Sequence, residues 1–256
     1  MNTTMRRRVA ASAAALALVA GGGVLAGCSS GYDAQSSADT PASPNGIEKL
    51  PAKEILTKSA AAMATASSVT VFGLTKEDDN GPEMSLDLTL GTGVGQGTMT
   101  VGGDPFMEFR EVDGKMYWKI SRKGVEAILG PGEASKAIGD RWVVAPVGTG
   151  DDDVPGPGDL GDKDTLLASL TQEGITASVT GTGEVKGTPV VFVKTSGKEG
   201  TATLAIQTVG EPYAVQARGE ATGNIDFSDW NAPVNVTAPT GAVSPDELIP
   251  EDAASG

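Results

Sequence analysis

The sequence predicts an α+β protein built on an antiparallel sheet of about ten strands with two helices. Three observations carry that reading. An alanine-rich stretch of helical character follows Pro51. From Val69 onward, short runs of alternating apolar and polar residues are separated by Gly, Asn and Asp. One shorter helical pattern, over 162–170, interrupts those runs.

Ahead of the sheet, Arg6, Arg7 and Arg8 precede an apolar run from Val9 to Ala20, and Leu25-Ala26-Gly27-Cys28 ends it on the only cysteine of the chain. Basic, apolar and small-residue parts in that order describe a secretory signal, and cysteine at its end describes a lipobox. The run is short and glycine-broken, and polar Ser-rich sequence follows at once, which argues against a spanning helix. Residues 1–27 are therefore expected to be removed as a lipoprotein signal peptide, with Cys28 acylated at its sulfur and its amino end. Two or more acyl chains give stable membrane residence at ~0.8 kcal/mol per buried methylene. Localisation follows: the cell membrane, lipid-anchored on the extracytoplasmic face.

Residues 28–46 are rich in Ser, Ala, Pro and Asp and predict a flexible tether. Pro51 suits a first helical turn, and Ala52 to Ala66 carry Ile55, Leu56 and Met63 on a narrow face, which asks for a sheet as packing partner. The clearest strand has Met84, Leu86, Leu88 and Leu90 pointing one way and Ser85, Asp87 and Thr89 the other. Further strands are expected over 69–75, 95–101, 106–112, 115–121, 175–181, 190–195, 201–208, 213–217 and 223–227, with a two-residue hairpin at Asp113-Gly114. The second helix takes Asp162 as cap and Leu166, Leu167 and Leu170 on one side. Residues 47–240 thus form one domain, and 241–256 an acidic, disordered tail.

The charge balance narrows the partners. Formal net charge is −14, and removal of Arg6, Arg7 and Arg8 takes it to about −17, a surface that repels nucleic acid and anionic headgroups. With no cysteine after Cys28 and no histidine anywhere, disulfide frameworks, thiolate or imidazole metal sites and His-dependent nucleophile systems are excluded. The Asp151-Asp152-Asp153 run lacks the ligand spacing of a calcium loop. Glycines in Gly91-Thr-Gly-Val-Gly-Gln-Gly97 lead into a strand rather than the helix a phosphate loop requires. Carboxylate pairs such as Glu108 with Glu111, or Asp226 with Asp229, have no spacing that lifts them above chance in an acidic chain. No catalytic residue, metal or cofactor is expected.

Several short motifs carry a family likeness: Val112-Asp-Gly-Lys-Met-Tyr-Trp118, Leu166-Leu167, Val185-Lys-Gly-Thr-Pro-Val-Val191, and the closing Ile225-Asp-Phe-Ser-Asp-Trp-Asn-Ala-Pro-Val-Asn-Val-Thr-Ala-Pro239. In this and in the order of its parts, the chain resembles bacterial lipoproteins of the LppX/LprG type, which share the LolA/LolB-like half-barrel. The resemblance implies a strongly curved antiparallel sheet wrapped on one long and one short helix, an apolar cavity, and a carrier of lipids or acyl chains rather than an enzyme. Alternation within the strands turns Phe72, Leu74, Met84, Leu86, Leu88, Met107, Phe109, Met116, Trp118, Ile120, Val179, Val191, Val193, Leu204 and Ile206 toward that interior. The expected partners are a lipid or acylated ligand and, through the anchor, the membrane. The alternative is another exported envelope protein, bound by surface or sheet edge. A monomer is expected.

Overall fold

A computed structural model describes residues 43–76, 81–146, 175–197, 200–219 and 223–248. Cys28, the signal segment, most of the tether, the Asp151–Asp153 run and the 162–170 helix lie outside the described residues.

The chain enters through a 3₁₀ turn, Ile47–Lys49, then α1, Ala52–Thr65. A meander follows: β1 Ser68–Lys76, β2 Glu83–Gly91, β3 Val94–Val101, β4 Asp104–Val112 and β5 Lys115–Ile120. After two short helices, α2 Arg122–Leu129 and α3 Glu133–Ile138, comes β6, Val143–Pro146. A second meander is β7 Thr176–Val185, β8 Thr188–Gly197, β9 Gly200–Gln207, β10 Ala214–Gly219 and β11 Gly223–Ser228. All eleven strands form one antiparallel sheet in the order β6-β5-β4-β3-β2-β1-β11-β10-β9-β8-β7, curved and unclosed. Central β1 pairs with β2 on one side and β11 on the other.

The curvature has a physical origin. Laid flat, eleven strands span about 50 Å, whereas a helix the length of α1 is about 21 Å long. Yet α1 carries Met63 and Ala62 in a cluster reaching Phe109 on β4 and Met116 on β5, and Ile55 and Leu56 in another reaching Val191 and Val193 on β8. Only a sheet bent around the helix reaches both. Twist accumulating from strand to strand supplies the bend, helped by bulges at Met99/Thr100, Val179/Gly181 and Ala214/Gln216. Bending crowds side chains on the concave side. Gly97 answers this in β3: a Cβ there would lie 2.6 Å from both Leu88 and Phe109, whose side chains close over it.

The Asp113-Gly114 hairpin forms as the sequence predicts, with φ of 55° and 68°. Ordered backbone continues past Thr240, where the sequence predicts a tail. Val243 accepts from Val144 N–H and donates to the Trp142 carbonyl, and a 3₁₀ turn, Pro245–Glu247, follows. Two helices and one strand lack a signal in the sequence. Helix α2 is masked by Gly124, where a Cβ would press on the Ile120 and Phe106 side chains at 3.0–3.1 Å. The Ser121 side chain caps its start by accepting from Gly124 N–H.

Candidate functional site

The register resolves the concave face into rows. One runs Phe227, Val71, Leu88, Gly97, Phe109, Trp118, Val143. The next, toward the Lys76 end of β1, runs Ala217, Ile225, Gly73, Leu86, Met99, Met107, Ile120. Beyond it Thr75, Met84 and Val101 share a third. Neither of the first two rows carries a charged side chain. Burial falls from row to row: Val71, Leu88, Phe109 and Phe227 are buried in the cluster with Met63 of α1, whereas Leu86, Met99, Ile225, Ile120, Met84 and Val101 are half-buried.

Thirteen of the residues expected to face inward therefore share the face of α1, but they divide by environment. Leu88, Phe109 and Met116 pack in one cluster with the C-terminal half of α1, and Val191, Val193, Leu204 and Ile206 in the other with Ile47, Ile55 and Leu56. Met84, Leu86, Trp118 and Ile120 are half-buried, and Met107 is 8% exposed. Val179 pairs with Val193 and shares its face, but on edge strand β7 it remains 40% exposed.

Phe72 and Leu74 are a correction. Val69 and Val71 hold the inner positions of β1, opposite Leu90 and Leu88, so Phe72 and Leu74 fall on the convex face beside Asp87 and Ser85. Phe72 is 42% exposed. A Val-Thr-Val-Phe-Gly-Leu run offers apolar residues in both phases, and bulk alone selects the wrong one. Sequence reasoning also omits Met99, Val101 and Ile225, although each keeps period-two spacing with a neighbour already assigned to a strand.

The convex face is polar. Lys119 pairs with Glu108 at 2.6 Å, and Asp226 accepts from Lys186 at 3.0 Å and from the Gln216 amide at 2.6 Å. Arg110 and Lys119 both lie over the Trp142 ring at 5.1 Å, and Arg110 donates to the Thr237 carbonyl. Glu108 and Asp226 are thus engaged on the far side of the sheet from the apolar rows, whereas Glu111, level with Gly95 and Met116, falls on the face of α1. Among the described residues no group of acidic side chains is arranged to hold a metal.

Within the concave interior, α1 presents one polar side chain to the core. Ser59 is 1% exposed, and its Oγ has no hydrogen-bond partner. On the outer side of α1, a cleft of about 650 Å³ is lined by Asn45, Leu50, Glu54, Lys58, Thr65 and Glu211 among others. It contains none of the residues expected to bind an apolar ligand.

Solved structures similar to this chain include two mycobacterial lipoproteins. The lipoprotein LppX of Mycobacterium tuberculosis aligns at 19% identity over 72% of this chain and 97% of its own, with TM-score 0.47. LprF of Mycobacterium bovis aligns at 23% identity over 78% of this chain and 100% of its own, with TM-score 0.49. A LolA superfamily protein of Nitrosomonas europaea aligns at 8% identity over 79% and 99%, with TM-score 0.27. No protein-family model and no curated protein sequence matches the chain. The half-barrel is legible in the molecule's own strand order and register, independently of these likenesses.

Proposed function

We propose that this protein is an acyl-anchored lipoprotein, held through Cys28 on the extracytoplasmic face of the cell membrane, that binds and carries a lipid or acyl chain against its concave face. One observation carries the reading: the uncharged rows of that face run past the core around α1, so that Leu86 and Ile225, packed at its margin, are only partly buried, and Met99 and Met84 lie half-buried beyond it. An apolar wall only partly covered by the protein's own side chains gains by accepting a guest. Burying a sixteen-carbon chain contributes up to ~12 kcal/mol by methylene counting, less the cost of ordering it. No charged contact is required, which suits a protein this acidic.

The test is native mass spectrometry of the processed full-length chain, released from envelopes and stripped of detergent. The expected result is a non-covalent lipid adduct, distinct in mass from the acyl chains on Cys28, that is strongly diminished by Leu86→Trp. Spectra free of adduct in the wild-type protein overturn the reading.

The second reading, docking of another envelope protein, has one observation in its favour. Among the described residues strand β7 ends the sheet, and nearly all of its side chains are exposed, so its outer backbone edge offers a template for strand addition. A partner recovered from membranes whose binding withstands Leu86→Trp but not Val179→Pro, in protein without adduct, selects it.

A further inference from the structure

From the buried hydroxyl of α1 we infer that Ser59 is a ligand-binding residue, whose Oγ–H donates to the ester carbonyl of an acyl lipid held in the concave interior. The inference rests on the carrier reading above and adds the chemistry by which a guest is recognised. Four observations meet at this residue.

The first is burial without a partner. Ser59 is 1% exposed and its Oγ bonds to nothing, whereas the other hydroxyls of this helix, Thr57 and Thr65, donate to the Lys53 and Ala62 carbonyls. A mid-helix serine ordinarily satisfies itself on the preceding turn in that way. A buried hydroxyl left unsatisfied carries a desolvation penalty and is uncommon in a native interior.

The second is position. Along α1 the inward residues run Ile55, Leu56, Ser59, Ala62, Met63. Ile55 and Leu56 belong to one apolar cluster, and Ala62 and Met63 to the other. Ser59 stands at the break between them.

The third concerns the sheet. The two clusters divide between β9, which gives Leu204 and Ile206 to one, and β10, which gives Ala214 and Ala217 to the other. The inward positions of β10 are thus alanines, the smallest side chains that still cover a strand.

The fourth is continuity. Ala217 pairs with Ile225, which opens the half-buried row through Leu86 and Met99. The apolar wall proposed to take a chain therefore leads, without a charged residue, to the strand at this break.

A hydroxyl donor flanked by hydrocarbon on both sides along its helix suits a ligand that is apolar except for a hydrogen-bond acceptor part-way along. An ester carbonyl between an acyl chain and a glycerol is such a group. Ser59 would then fix the depth to which the chain enters, since the carbonyl has one donor to find.

The test compares two probes of equal chain length, dipalmitoylglycerol and di-O-hexadecylglycerol, the second lacking both carbonyls, on the full-length chain and its Ser59→Ala variant. One satisfied hydrogen bond to a buried donor predicts that wild-type protein prefers the ester about five-fold. In Ser59→Ala that ratio falls to about one, with ether affinity unchanged and thermal stability of the ligand-free protein equal to or above wild type. Should alanine prevent folding, Ser59→Cys keeps the shape with a weaker donor, and its ratio lies between the two. Equal binding of both probes by wild type, as expected if the hydroxyl serves only an internal water, overturns the inference and leaves the carrier reading standing. An ester preference that survives Ser59→Ala does the same. Failure of wild type to bind either probe overturns the carrier reading itself.

Discussion

Gly97 and Phe72 show how much a single position decides. At Gly97, two large side chains occupy the space a methyl group would take, and the Asp87 carbonyl lies 2.9 Å from the same point. Gly97→Ala is therefore expected to destabilise the protein by about 1–3 kcal/mol through overpacking, read as a lowered Tm, although alanine is ordinarily better tolerated in a strand than glycine. Face assignment makes a paired prediction. Phe109 is fully buried against Leu88 and Met63 in the cluster of α1, and Phe72 is 42% exposed. Phe109→Ala should cost about 3–5 kcal/mol and Phe72→Ala less than about 1 kcal/mol, measured by denaturant unfolding; equal losses would return Phe72 to the interior. The sequence makes Leu88 and Phe109 legible as inward because each alternates with polar neighbours. Phe72 is not, because β1 is apolar in both phases and only its partners settle which one is used.

Between β11 and β6 the chain forms a latch rather than a loose end. Trp230 stacks on Tyr213 with ring centroids 4.7 Å apart, lies 6.2 Å from Phe227, and donates its indole N–H to the Ala214 carbonyl. Asn231, at φ 63°, accepts from the Ser67 N–H and donates to the Tyr213 hydroxyl at 2.8 Å. From there the backbone passes Arg110, bound through the Thr237 carbonyl, and joins β6 at Val243. Asn231→Ala removes three side-chain bonds, two from Ser67 and one to Tyr213, and the residue type most at ease in that backbone conformation. We expect a loss of about 1–3 kcal/mol, with amide exchange rising first in β1 and β10; uniform exchange across the sheet would show that the latch does not act locally. The motif Asp229-Trp230-Asn231-Ala232-Pro233 is conspicuous in the sequence, but its work is not, since Ser67, Tyr213 and Ala214, the partners it ties together, stand elsewhere in the chain. Strand β6 is hidden for a related reason: four residues, Val143–Pro146, are too few for a period to register, and it exists through β5 and the latch.

Taken whole, the molecule keeps its apolar rows on the side of α1 and its Lys119–Glu108 and Lys186–Asp226 pairs on the convex side, although Glu111, level with Gly95 and Met116, faces α1 and Phe72 faces out. Attachment to an anionic membrane cannot come from a chain of net charge −14 through headgroup attraction, so the proposed anchor has to supply it. Labelled palmitate is expected to mark the wild-type protein, while Cys28→Ala is unlabelled and released to the soluble fraction; labelling that persists in the variant removes the anchor. Ten of the eleven described strands and the antiparallel class are readable from period-two runs and turn residues, because those signals are local. How much of the concave face the protein covers for itself was not, since that depends on where one helix lies across strands drawn from the whole domain.

The place of β1 beside β11 has a consequence for biogenesis. Strands from the two ends of the domain meet at the middle of the sheet, so the early meander, packed on α1, lacks its central neighbour until the last strand zips into place. Such late, long-range closure is slow. On the carrier reading proposed above, the berth for a guest stays unfinished until β11 docks.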